Sequence, residues 1–229
     1  MTIITDIFQP TNQSLHTLIF GKSGSGKTFM NKHLLMAANS DIKNFPITHR
    51  FVVIDPKTQG GDYDIFGEPL DGLNPSEVAK SIGENRVTLI WPPYGFTEDI
   101  VDYVIEILFQ LSDEIEHFSA TFILDEAGEI ISHNSMPNSV GKLAVQGRSK
   151  NLKGVFLNQR PILNRKLDSQ VESLYLFDMI EIDADNLMKR WAISYEKYFP
   201  KIRANKHSFL GVNFVTNKTN FHPPIELVN

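Results

Sequence analysis

The sequence predicts an α/β fold in which a mostly parallel β-sheet carries helices on both faces. Short apolar runs alternate with helical stretches along most of the chain. The first apolar run leads directly into a glycine-rich loop that is followed by a helical stretch. No internal repeat or Gly/Ser linker divides the chain. With 229 residues, 41% of them hydrophobic, we therefore expect a single domain over residues 1–229.

The apolar runs have the length and composition of strands that are buried on both faces of a parallel sheet. They span residues 15–20, 51–54, 87–91, 121–124, 155–157 and 174–177. A further strand is expected at residues 209–216, followed by a polar turn at 217–220.

Helical patterns fill the segments between the predicted strands. The clearest runs from Thr97, a suitable cap, to about residue 116, with Ile100, Val104 and Leu108 on one face. Others are expected at residues 28–38, from Pro75, from near residue 137, and at about 185–198. This alternation implies right-handed crossovers, and it directs ligands to the carboxyl ends of the strands.

Composition excludes several kinds of site. The chain has no cysteine, so it has neither disulfides nor thiolate metal sites, which fits a reducing cytoplasm. No signal peptide and no apolar run long enough to span a bilayer is found, so we expect a soluble protein. The net charge of -5 means that any contact with nucleic acid must come from a local basic patch.

The glycine-rich loop fits the phosphate-binding template G-x-x-x-x-G-K-[ST] at every fixed position. It consists of Gly21, Lys22, Ser23, Gly24, Ser25, Gly26, Lys27 and Thr28. The glycines allow backbone N–H groups to point inward, and the following helix presents its positive end to phosphate. We expect Lys27 to reach the terminal phosphates and the Thr28 hydroxyl to bind Mg²⁺. The alternative is a flexible Gly/Ser turn.

A second candidate segment is the apolar strand that ends in Asp125 and Glu126. Asp125 is expected to hold Mg²⁺, and Glu126 to orient and deprotonate the attacking water. The alternative is a surface turn, since acidic residues also suit turns. A glutamate beside the metal aspartate is typical of additional-strand ATPases.

Four segments together resemble the FtsK/HerA superfamily of ring-forming DNA pumps, in particular the genome-packaging ATPases of tailless, membrane-containing icosahedral viruses. They are the phosphate loop, residues 53–57 (Val-Ile-Asp-Pro-Lys), residues 123–126, and the segments 147–150 and 157–161. The resemblance covers about residues 15–180 and leaves 181–229 as a C-terminal appendage. It implies a RecA-like additional-strand P-loop NTPase fold.

The resemblance also implies roles for single residues. Gln159 would end the strand that lies between the two nucleotide-binding strands and would sense the terminal phosphate. Arg148 best matches the arginine that the family supplies to a neighbouring subunit, with Arg160 and, more weakly, Lys150 as competitors. The roles of Asp55 and Lys57 stay open.

Residues 142–166 contain seven basic residues and no acidic one. Lys150, Lys153, Arg165 and Lys166 are the candidate contacts to the DNA backbone. The alternative is a solvated face. A second basic cluster occupies residues 197–207.

The sequence therefore predicts an ATPase that uses ATP and Mg²⁺, and the resemblance implies that it translocates double-stranded DNA into a viral capsid. The resemblance implies a homo-oligomer, as a hexamer, with capsid or vertex proteins as partners, in the host cytoplasm or associated with the virion. Two alternatives stay open: a P-loop small-molecule kinase, and a nucleotide-binding structural component of a capsid or secretion complex.

Overall fold

The computed structural model describes residues 3–10, 16–55, 61–92, 98–161 and 164–225. The strands are β1 (His16–Phe20), β2 (His49–Ile54), β3 (Val87–Ile90), β4 (Ser119–Leu124), β5 (Leu152–Asn158), β6 (Val171–Leu176), β7 (Phe209–Asn213) and β8 (Lys218–His222). The α-helices are α1 (Ile3–Phe8), α2 (Lys27–Ser40), α3 (Pro75–Glu84), α4 (Glu98–Glu114), α5 (Asn138–Gln146), α6 (Arg165–Asp168), α7 (Glu181–Arg190) and α8 (Tyr195–Ala204). Short 3-10 turns occur at Asp64–Phe66, Ala127–Glu129 and Gly147–Lys150.

All these strands belong to one sheet with the order β3-β2-β4-β5-β1-β6-β7-β8. The strands from β3 to β6 in this order are parallel, whereas β7 pairs antiparallel with β6, and β8 with β7. Strand β5 lies between β1, which leads into the phosphate loop, and β4, which ends before Asp125. The prediction of a mostly parallel α/β sheet with an additional strand is confirmed.

The core forms a layer on each face of the sheet. Side chains alternate along the strands, so Leu18 and Phe20 enter one layer and Ile19 enters the other. Helix α4 contributes Val101, Val104 and neighbouring apolar residues to the first layer, and α2 contributes to the second. The helices therefore cover both faces and leave the strand ends to form a site.

Capping residues fix several helix starts. The Asn74 side chain accepts hydrogen bonds from the backbone N–H groups of Ser76 and Glu77, at 3.1 and 3.4 Å, and Pro75 opens α3. Ser194 caps α8 by accepting from Lys197 N–H at 3.3 Å. No helix in the described ranges is both long and apolar enough to cross a bilayer.

Two predicted elements in the C-terminal part are wrong. The helix expected at about 185–198 is two helices, because the chain turns between them at Ala192, whose φ is 54°. The strand expected at 209–216 ends at Asn213, and the segment expected to be a turn at 217–220 instead enters β8. Asn217, with φ 53°, makes the turn of this hairpin.

Candidate functional site

The phosphate loop joins β1 to α2 at the carboxyl edge of the sheet. Gly26 precedes α2 with φ 105°, a left-handed conformation that favours glycine, and no side chain caps the helix. The first backbone N–H groups of α2 therefore stay available to an anion. Lys22, Ser23 and Gly24 form the exposed tip of the loop, and Ser25 is buried.

Lys27 is buried and crosses beneath the loop. Its Nζ donates hydrogen bonds to the carbonyl oxygens of Gly21, at 2.6 Å, and Lys22, at 3.3 Å. The ammonium group is therefore held at the floor of the phosphate loop, where it can exchange these contacts for phosphate oxygens.

Thr28 and Asp125 are in direct contact. Thr28 Oγ1 donates to Asp125 Oδ2 at 3.0 Å, and the Glu126 backbone N–H donates to Asp125 Oδ1 at 2.9 Å. Asp125 is fully buried directly after β4. A carboxylate and a hydroxyl are hard oxygen ligands of the kind that Mg²⁺ prefers, so these two side chains fit a magnesium site.

Glu126 and Gln159 also come together, although they follow different strands. Gln159 Nε2 donates to Glu126 Oε1 at 3.0 Å. Glu126 has left-handed backbone angles, φ 49° and ψ 40°, which are rare for a residue with a side chain. The contact unites the candidate base with the candidate phosphate sensor at the end of the additional strand.

Tyr63 is a site residue that the sequence analysis missed. Its side chain is fully buried, and its hydroxyl donates to Asp125 Oδ2 at 3.3 Å. Burial, followed by the charge of Asp125, raises the pKa of Tyr63 well above its ordinary value. Asp55 is buried at the end of β2 and adds to this shift. Pro56 and Lys57, the rest of the predicted turn, lie outside the described residues.

A cavity of about 470 Å³ opens beside the phosphate loop. Its lining combines Gly24 and Thr28 with the side chains of Phe29, His207 and Ile225. His207 Nδ1 lies 3.2 Å from the carbonyl oxygen of Ser25, so the segment that leads into β7 contacts the loop. An apolar wall next to a phosphate loop suits the base and sugar of a nucleotide. No local sequence signal assigned His207 to this wall.

Arg148 does not reach its own phosphate loop. It is exposed in the 3-10 turn before β5, and β5 runs parallel to β1 with Phe20 opposite Asn158. Arg148 therefore lies at the opposite end of β5 from the phosphate loop. The strand is about 20 Å long, at about 3.3 Å per residue. Of the competitors, Arg160 lies 3.7 Å from Asp183, and Lys150 pairs with Asp113.

The prediction that Lys153 contacts DNA is wrong. The side chain is 1% exposed, its Nζ donates to the Asp6 carbonyl oxygen at 2.6 Å, and it lies 3.7 Å from Glu172 Oε2. Burial lowers the pKa of Lys153 to about 8. Lys153 is a structural residue that ties α1 and β6 to β5.

Carboxylates from other elements neutralise much of the basic segment at 142–166. The ion pairs are Lys142–Glu106, Lys150–Asp113, Lys153–Glu172 and Arg160–Asp183. Arg148, Arg165 and Lys166 are exposed, and no carboxylate in the described ranges pairs with them. The local patch is therefore smaller than the sequence suggests.

Several solved structures share this fold, and some of them are nucleotide complexes. The genome-packaging NTPase B204 of Sulfolobus turreted icosahedral virus 2, in complex with AMP, matches with a TM-score of 0.73 and 14% identity over 93% of this chain and 98% of that chain. Its complex with ATP-γ-S gives a TM-score of 0.72 and 16% identity over 93% and 98%. VirB4 of Thermoanaerobacter pseudethanolicus matches at 0.57, with 13% identity over 97% of each chain. No protein-family model and no curated protein sequence matches the chain. At these identities the likeness establishes the fold, which is the one the sequence resemblance implied.

Proposed function

We propose that this protein hydrolyses MgATP and uses the free energy to move double-stranded DNA, as the motor of viral genome packaging. The observation that carries the ATPase part is the hydrogen bond of 3.0 Å between Thr28 and Asp125. It joins the phosphate loop to the acidic strand where P-loop enzymes hold their metal ion. The cavity beside the loop supplies room for the nucleoside.

Each residue of the site has one task in this proposal. Lys27 binds the terminal phosphates, and Thr28 and Asp125 hold Mg²⁺. Bound Mg²⁺ takes up negative charge from the phosphate oxygens. Glu126 orients a water molecule and accepts its proton as the water oxygen attacks the γ-phosphorus and the bond to ADP breaks. Gln159 senses the γ-phosphate through its contact with Glu126.

A second subunit supplies the remaining positive charge. Arg148 is exposed on the edge of the sheet opposite its own phosphate loop, so it can act on phosphate only in another chain. An arginine added in this way raises the rate of phosphoryl transfer by about a thousandfold or more in related enzymes. This requirement supports a homo-oligomeric ring, which we propose to be a hexamer.

Exposed basic residues support the DNA part of the proposal. Arg165 and Lys166 are exposed on α6, whereas Lys150 is half-buried and already pairs with Asp113. Contacts of this kind bind the phosphate backbone without reading sequence. Packaging would then occur in the host cytoplasm or on the virion, with capsid or vertex proteins as docking partners.

Turnover of ATP with and without duplex DNA, together with the mass in solution, tests the proposal. We expect DNA to stimulate hydrolysis and the active species to have the mass of a ring. The Lys27→Ala variant provides the background rate. A monomer that phosphorylates a small acceptor would instead identify a kinase.

One observation favours a second candidate, a nucleotide-binding structural component of a capsid or secretion complex. Four of the seven basic residues at 142–166 already have carboxylate partners, which weakens the case for a DNA track. This candidate predicts negligible hydrolysis that DNA does not change, with assembly that depends on bound nucleotide.

A further inference from the structure

Tyr63 connects the candidate magnesium site to a part of the chain that the proposed mechanism does not use. It comes from the connection between β2 and β3, outside the phosphate loop and β4. Its hydroxyl lies 3.3 Å from Asp125 Oδ2 and 2.8 Å from Asn31 Nδ2, and all three side chains are buried. The hydroxyl thus bridges α2 to the carboxylate.

The hydrogen bonds fix the direction in which Tyr63 donates its proton. Asn31 Nδ2 donates to the phenol oxygen, and a phenol has a single proton to give. That proton is directed to Asp125 Oδ2, which also accepts from Thr28. Since Oδ1 accepts from the Glu126 backbone, both carboxylate oxygens have fixed partners. The orientation of Asp125 is therefore set before any ligand binds.

We infer that Tyr63 is a positioning residue that orients Asp125 for magnesium, and that Asn31 in turn orients Tyr63. The inference rests on the proposed MgATP site. Partners that orient a metal ligand in this way typically change metal affinity by about 10-fold to 100-fold when they are removed. The nucleotide itself touches neither side chain in this scheme, so the effect belongs to the Mg²⁺-dependent part of nucleotide affinity.

The Mg²⁺-dependent part of the affinity can be isolated by measuring the binding of a fluorescent ATP analogue both in EDTA and in saturating Mg²⁺. For Tyr63→Phe we expect an unchanged dissociation constant in EDTA and a loss of about tenfold in the enhancement by Mg²⁺. Tyr103→Phe is the matched control, because Tyr103 donates its partly buried hydroxyl to the Gly72 carbonyl oxygen, away from the site. It should leave both constants unchanged.

Asn31→Ala gives an independent measurement, and the double variant completes a cycle. We expect Asn31→Ala to weaken the Mg²⁺ enhancement and to add nothing once Tyr63 is phenylalanine, since both act through one hydroxyl. If Tyr63→Phe does not fold, Asn31→Ala alone still tests the inference.

Two results would overturn the inference. One is a Mg²⁺ enhancement in Tyr63→Phe equal to that of the wild type. The other is an equal loss of affinity in EDTA and in Mg²⁺, which would mean that the loop had simply been disrupted. A wild-type protein that binds no nucleotide would overturn the proposed function together with the inference, so the two failures are distinguishable.

Discussion

Replacing Lys153 with methionine should destabilise the protein without weakening its contact with DNA. The substitution keeps the buried aliphatic volume but removes the ammonium group that lies 3.7 Å from the carboxylate of Glu172, which is 3% exposed. Breaking a buried ion pair in this way typically costs about 3 to 5 kcal/mol. In a domain of this size each kcal/mol lowers the melting temperature by about 2 to 4 °C, so we expect a decrease of about 6 to 20 °C. Adding Glu172→Leu should restore most of the loss, because the buried carboxylate that faced the lysine is then removed as well.

Denaturant unfolding and the salt dependence of DNA binding together form the assay. In folded Lys153→Met protein the slope of log affinity against log salt should equal that of the wild type. Replacing Arg165 and Lys166 with glutamine should reduce the slope by about 2, since each lost phosphate contact removes about 0.9. The reasoning would be refuted by a Lys153→Met protein of normal stability whose slope is reduced.

The remaining predictions concern the base and the arginine. Glu126→Gln should keep MgATP binding but lower turnover by about 100-fold or more. Lys27→Ala should lose MgATP binding itself. Near-normal turnover in Glu126→Gln would exclude Glu126 as the base. Mixing inactive Arg148→Ala subunits with Lys27→Ala subunits should restore hydrolysis, provided that the ring does not require every pocket, and an Arg148→Ala assembly that is fully active on DNA would exclude a trans-acting role.

The phosphate loop and the acidic strand could be predicted because their signals are local. The order of residues from Gly21 to Thr28 and the apolar run before Asp125 define both segments without reference to the rest of the chain. Their meeting at one edge of the sheet follows from the parallel strand order, in which carboxyl ends coincide. Gln159 could not be assigned from local signals, because its role depended on the family resemblance. Its contact with Glu126 is consistent with the position that the resemblance implies.

The errors arose where distant residues decide the outcome. The residues next to Lys153 in the sequence do not distinguish it from an exposed lysine. Its partners, Asp6 in α1 and Glu172 in β6, belong to other elements. Neither lies near it in the chain, so no periodicity could reveal the pair. Tyr63 was missed for a similar reason, because an isolated tyrosine in a connection carries no signal that its hydroxyl meets Asp125.

The left-handed backbone of Glu126 sets stability against activity at one position. For a residue with a side chain this conformation costs about 1 to 2 kcal/mol, whereas glycine adopts it freely at an entropic cost of about 0.5 to 1 kcal/mol. Glu126→Gly would therefore produce a chain that folds at least as well and lacks the carboxylate that we propose as the proton acceptor. Glutamate at this position therefore carries a conformational cost that its proposed role in turnover would offset.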